Sequence, residues 1–155
     1  EACAARVAAL AEKYAPVAQD EGRDPGAEEA HALARRAAES CAVLLKNEGG
    51  ILPIRERAGT LLIGDMAAHP RYQGSGSSHI NPRRLTSAAG ACPDLAWVQG
   101  CLGDGSAPGT LIDEAVRAAR TAKTAVIFAG LPPQCESEGF DRADMALPEG
   151  HVRLI

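Results

Sequence analysis

Residues 125–129 (AVIFA) form an unbroken apolar run, and this constrains the fold more than any other stretch of the chain. Such a run, without polar alternation, is the pattern of a strand buried on both faces in a parallel sheet. Gly130 and the pair Pro132-Pro133 end it, because proline cannot donate to a ladder and steers the preceding residue away from helix. Residues 134–142 (QCESEGFDR) then fall at the carboxyl end of that strand, where open α/β sheets place their ligand sites. Glu136, Glu138, Asp141 and Arg142 are all in that loop.

The rest of the chain supplies the partners such a strand needs. Residues 1–14 (EACAARVAALAEKY) place apolar residues at helical spacing with no breaker, and open without a cap. They read as the last helix of an earlier domain. Residues 15–29 are a linker, dense in proline, glycine and charge up to Gly26. Helical periodicity returns over residues 27–45, with Leu33, Ala34, Ala37, Ala38, Cys41 and Leu44 or Leu45 on one side. Asn47 and Gly49-Gly50 are expected to stop it, since both types accept the left-handed conformation of a helix end.

Residues 60–63 (TLLI) predict a first buried strand, residues 87–90 a short helical turn, and residues 96–99 a second, short strand. Residues 110–121 predict a helix with Thr110 as its N-cap, Asp113 and Glu114 in the first turn, and Arg117 and Arg120 later, as the helix dipole favours. Residues 147–150 (LPEG) open a further helix. Strand, helix, strand with right-handed crossovers predicts a layered α/β/α sandwich with a mostly parallel sheet, incomplete at the C-terminus.

Composition removes several function classes. A formal charge of −4 leaves no basic face for nucleic acid. Five scattered cysteines and four dispersed histidines form neither a disulfide framework nor a ligand cluster, so no metal site and no cofactor are expected. Reduced thiols suit a cytosol-like compartment. No apolar run approaches the length that spans a bilayer, and no membrane partner is expected. The chain starts at Glu1, not Met, so an upstream export signal is compatible with it.

Two loops carry the candidate chemistry. Residues 69–82 (HPRYQGSGSSHINP) are polar, glycine-rich and too long for a simple connection. Gly74, Ser75, Gly76, Ser77 and Ser78 resemble a phosphate cradle only superficially, since the run closes on neither Lys-Ser/Thr nor a G-x-G-x-x-G. A flexible surface loop is the other reading. His79 reads as a loop hydrogen-bonder, and Cys135 as an ordinary loop thiol, because no cysteine-nucleophile signature surrounds it. Glu136, Glu138 and Asp141 lie within six residues, and their mutual repulsion favours one of them holding a proton near neutrality. Such a carboxyl group is a general acid, while a solvated acidic loop is the alternative. Arg142 is expected to pair with Asp141 and orient the loop, leaving Glu138 free.

Together, residues 136–142 (ESEGFDR) followed by LPEG, residues 39–54 (ESCAVLLKNEGGILPI) and residues 70–82 (PRYQGSGSSHINP) resemble the family-three glycoside hydrolases of the β-glucosidase type. The resemblance covers residues 30–155, and residues 1–14 are similar to the helix that closes the family's preceding barrel domain. It implies a (β/α)-barrel followed by an α/β sandwich, of which residues 30–155 are the first part, with the site between them. It also implies a carbohydrate substrate, with Glu138 as the acid/base of a retaining, exo-acting β-glycosidase and residues 74–78 bordering the sugar.

The sequence departs from the family at two points. Cys135 stands where similar sequences often carry an aromatic, usually tyrosine, so aglycone preference does not carry over. No barrel strand with the nucleophilic aspartate is present in these residues, so the chain by itself is expected to be inactive. Two alternatives remain: a non-catalytic carbohydrate-binding or structural sandwich domain, and an anion-binding α/β module that lacks the usual lysine. The joint presence of Glu138, Asp141 and Arg142 favours the glycosidase.

Overall fold

The structure, a computed structural model, describes residues 2–18 and 26–155. The chain divides into two compact units, residues 1–50 and 51–155. The first holds α1 (Ala2–Ala18) and α2 (Ala27–Cys41). α1 runs past the expected end at Tyr14, through Pro16, and the linker residues 19–25 lie outside the described residues. α2 stops at Cys41, earlier than its periodicity suggested, because Ala42 turns to an extended conformation. Leu44 and Leu45 are therefore not helical. Gly49 and Gly50 serve a later turn, closed by the Gly50 N–H on the Asn47 carbonyl at 3.2 Å. No α2 residue is buried, so the expected apolar side of this helix has no cover among the described residues.

The second unit is built on a three-stranded, all-parallel sheet in the order β2-β1-β3, giving an α/β fold of the layered kind. β1 (Thr60–Ile63) is central, and all four of its residues are buried. β2 (Ala96–Val98) and β3 (Thr124–Ile127) flank it, with Leu61 opposite Ala96 and Ala125, and Ile63 opposite Val98 and Ile127. A short helix α3 (Ala88–Ala91), capped by the Ser87 hydroxyl on the Gly90 N–H, precedes β2. α4 (Gly109–Ala119) connects β2 to β3, and α5 (Glu149–Leu154) follows the long loop after β3.

The core is small and aliphatic. Leu61 and Ile63 point to one face of the sheet, where they meet Ala115 of α4, with Val98, Ala118, Ala119, Ala122 and Leu154 around them. Small alanines let α4 lie close to the strands.

The sheet and α4 each correct an expectation. The strand buried on both faces is β1, not β3, whose residues alternate between half-buried and exposed. β1 has a hydrogen-bonded neighbour on each side, whereas β3 has one among the described residues, and on the sheet face Ala125 and Ile127 line an open groove beside Ala115, Leu154 and Ile155. Thr110 is not the N-cap of α4. That position belongs to Pro108, whose carbonyl accepts the N–H groups of Leu111 and Ile112, which moves Asp113 and Glu114 out of the first turn.

Because the strands are parallel, all three carboxyl ends share one edge, and the loops of interest leave from it. Three hydrogen bonds tie that edge together: the Gly64 N–H on the Val98 carbonyl, the Phe128 N–H on the Ile63 carbonyl, and the Trp97 indole on the Gly64 carbonyl.

Candidate functional site

The two loops singled out in the sequence meet. Glu138 sits at the second position of a four-residue turn closed by the Phe140 N–H on the Ser137 carbonyl at 2.9 Å, with an isolated antiparallel bridge between the same two residues. Gly139 has φ +83° at the third position, the conformation that a type II turn requires there and that only glycine adopts without strain. The turn thus lifts Glu138 to its apex. One carboxylate oxygen of Glu138 accepts the backbone N–H of Ser77 at 2.7 Å.

Residues 76–78 form a single 3-10 turn that aims this N–H outward. Gly76 lies at φ +86°, and a methyl group there would fall 2.5 Å from the Glu138 Cβ and 2.8 Å from its Oε2. Glycine is needed at this point for two independent reasons, backbone angle and space. The surrounding loop holds itself in shape: the Tyr72 hydroxyl donates to the Ile80 carbonyl at 2.9 Å and the Gln73 amide to the Ser78 carbonyl at 3.2 Å. The His79 ring stands 3.4 Å from the Tyr72 hydroxyl, within the loop.

The electrostatics differ from the expectation of a proton-holding carboxyl group. Hydrogen bonds from the Ser77 hydroxyl and then from its N–H hold the Glu138 carboxyl below its ordinary pKa. Donors directed at a carboxylate stabilise the anion. Mutual repulsion does not overcome this because the neighbouring carboxylate is already occupied: Glu136 pairs with Arg71 at 3.3 Å. Arg142 donates to the Ala146 carbonyl at 3.4 Å, and no ion pair joins it to Asp141. Both line an open cavity of about 390 Å³ with Cys135, Gln134 and Leu131.

A second cleft, of about 240 Å³, is lined by Tyr72, Gly74, Ser75 and His79 of the loop together with Asp65, His69 and Pro133. Asp65 is buried and accepts from the Gln99 amide at 3.0 Å, with the His69 Nδ1 also at 3.0 Å. Beneath it, burial pushes the Cys101 thiol up, although the Asp65 N–H bonded to it works in the opposite direction.

Sequence reasoning missed Arg71 and the Asp65–His69 pair. Arg71 stands inside the quoted PRYQGSGSS motif, but its partner is 65 residues away, and no local signal connects them. The spacing of four between Asp65 and His69 was a visible cue. Among the described residues no group of histidine, cysteine and carboxylate side chains gathers as a metal site, and no helix is long and apolar enough to cross a membrane.

Residues 42–155 match the family described as "Glycosyl hydrolase family 3 C-terminal domain". "Thermostable beta-glucosidase B" of Acetivibrio thermocellus is 47% identical over 133 residues, which cover 81% of this chain and 18% of that protein. "Exo-alpha-(1->6)-L-arabinopyranosidase" of Bifidobacterium breve is 37% identical over 144 residues, covering 79% of this chain and 18% of that protein. The crystal structure of a "GH3 beta-glucosidase" of Bifidobacterium adolescentis superposes with a TM-score of 0.79 at 36% identity, over 95% of this chain and 22% of that one. The chain spans about a fifth of the length of these relatives.

Proposed function

The chain belongs to glycosyl hydrolase family 3, within its C-terminal domain, and from that premise we propose that it supplies the acid/base loop of a retaining, exo-acting β-glycosidase of the β-glucosidase kind. The observation that carries this reading is the pairing of Glu138 with Ser77. A carboxylate raised on a tight turn, gripped on one oxygen and open on the other side, can exchange a proton with a group that approaches its free oxygen. It does so without leaving its support.

In this reading Glu138 protonates the glycosidic oxygen as the leaving group departs, and an aspartate from a preceding (β/α)-barrel forms the glycosyl-enzyme. Glu138 then takes a proton from water, which releases the sugar with its configuration retained. In this reading the second carboxylate comes from the barrel, as the family resemblance implies, and Glu136 stays paired with Arg71. Residues 74–78 border the sugar, and Asp141 and Arg142 shape the loop's far side. The higher identity to a β-glucosidase than to an arabinopyranosidase supports the choice of sugar class.

The test is Glu138→Ala in the protein carrying this chain together with its barrel domain. Activity on an unactivated β-glucoside should fall by roughly 10²–10⁴-fold. Azide, which needs no general base, should restore turnover of an activated aryl glucoside as the glycosyl azide. Near-normal rates in the variant would place the acid elsewhere.

A further inference from the structure

The turn that carries Glu138 is closed by its own hydrogen bond, yet attachment at Ser77 alone would leave it free to pivot. We propose that Arg71 is a positioning residue, which clamps the base of that turn and so sets where the Glu138 carboxylate stands. This rests on the acid/base reading of Glu138.

Three bonds from one guanidinium carry the argument. Arg71 donates to the Glu136 carbonyl at 3.1 Å, to the Glu136 carboxylate at 3.3 Å and to the Leu131 carbonyl at 3.5 Å. Two of the three acceptors are backbone, so the grip is on the path of the chain and not only on a side chain. Glu136 is the residue immediately before the turn, and Leu131 stands where the chain leaves β3. The Arg71 side chain is only 23% exposed, so it belongs to the junction between the loops. A planar guanidinium with donors in a fixed fork can hold such a set, whereas an ammonium supplies one point of charge.

Arg71 and Ser77 lie on the same loop, and they seize Glu136 and Glu138 respectively. Two attachments, two residues apart on the gripped loop, define an orientation that one cannot. Arg71 also matches the charge of Glu136, which would otherwise stand unpaired beside the acid/base carboxylate.

The first test uses the chain itself and needs no turnover. In Arg71→Met, the Ser77 amide, bonded to Glu138, should lose hydrogen-exchange protection. The Phe128 amide, bonded to Ile63 in the sheet, should keep it and so report an intact fold. Arg71→Lys should lie between the two. Unchanged Ser77 protection in Arg71→Met overturns the proposal, and if that variant fails to fold, wild-type protection in Arg71→Lys and Glu136→Gln overturns it equally.

The second test uses the protein with its barrel domain. Arg71→Met should lower kcat on a poor leaving group by about 10²-fold, the cost of a misplacement of about 1 Å. It should add nothing in a Glu138→Ala background. A change confined to KM, or losses that multiply with those of Glu138→Ala, would make Arg71 a substrate contact instead and overturn the proposal. If Glu138→Ala leaves activity intact, the acid/base reading fails, while the Ser77 amide still decides the role of Arg71.

Discussion

Ser77 donates its backbone N–H to Glu138 at 2.7 Å across 61 residues of chain, and this bond ties the glycine-serine loop to the turn behind β3. Gly76 makes the approach possible. Gly76→Ala should therefore break the contact, since its Cβ would overlap that of Glu138 and the positive φ costs a further 1–2 kcal/mol or so. The carboxyl resonance of Glu138 in ¹³C spectra should then titrate at the ordinary glutamate value. An unchanged titration would mean that the loops do not meet as described.

The lowered pKa of Glu138 also predicts a pH dependence. A group whose folded pKa lies below its unfolded value contributes stability that is present above the unfolded pKa, about 4.3 for glutamate, and lost as pH falls through the folded one. Asp104 behaves in the same way, held down by the Ser106 hydroxyl and N–H. Ser77→Ala and Ser106→Ala should each lower the melting temperature near neutrality. The gap to wild type should shrink as pH is taken below 4 or so, once the carboxylates protonate in both states. Both carboxyl groups are fully exposed, so the effects should be modest.

Much of this arrangement was legible in the sequence, and the exceptions have physical causes. β1 could be read because burial on both faces leaves an apolar run with no polar interruption. β3 carries the same kind of run but stands at the sheet's edge, and a periodicity cannot tell a covered face from an open one. α2 reads too long in the sequence because its alanines and leucines continue the helical pattern past Cys41, where the backbone turns extended. The family motifs singled out Glu138 and the glycine-serine loop, which the structure brings into contact. The charge state of Glu138 does not follow from proximity in sequence, because its neighbour Glu136 is neutralised from the other loop by Arg71. Such long-range partners leave no local trace.

Leu61 tests the core. It is 4% exposed, lies between Ala96 and Ala125 in the sheet and packs under Ala115. Leu61→Ala opens a cavity that small neighbours cannot fill, so urea unfolding of the chain should show a loss of about 2–5 kcal/mol. A loss below 1 kcal/mol or so would mean that α4 does not press on this face.

Asp65 and His69 separate a buried role from an exposed one. Asp65→Ala strands the Gln99 amide in a half-buried position and should destabilise by about 1–3 kcal/mol. His69 is 70% exposed in its side chain, so His69→Ala should cost less than about 1 kcal/mol. Thermal unfolding of the two variants compares them directly. Equal losses would show that the pair acts as a structural unit, contrary to the burial difference.

The Glu138 geometry bears on the proposed acid/base role. In this chain the Glu138 carboxylate faces solvent and two donors from Ser77, and both conditions favour the anion. A general acid must instead carry its proton near the working pH. In the proposed enzyme two changes would supply that: a covering barrel removes water from the carboxylate, and the nucleophilic aspartate adds a like charge. Glu138 should therefore titrate below the usual glutamate range in the chain alone and above it in the protein with its barrel domain. The acidic form should fall back once the aspartate is neutralised by forming the glycosyl-enzyme, just when Glu138 must act as a base. Carboxyl ¹³C titration in the two forms measures the difference, and equal values would mean that the barrel does not cover this loop.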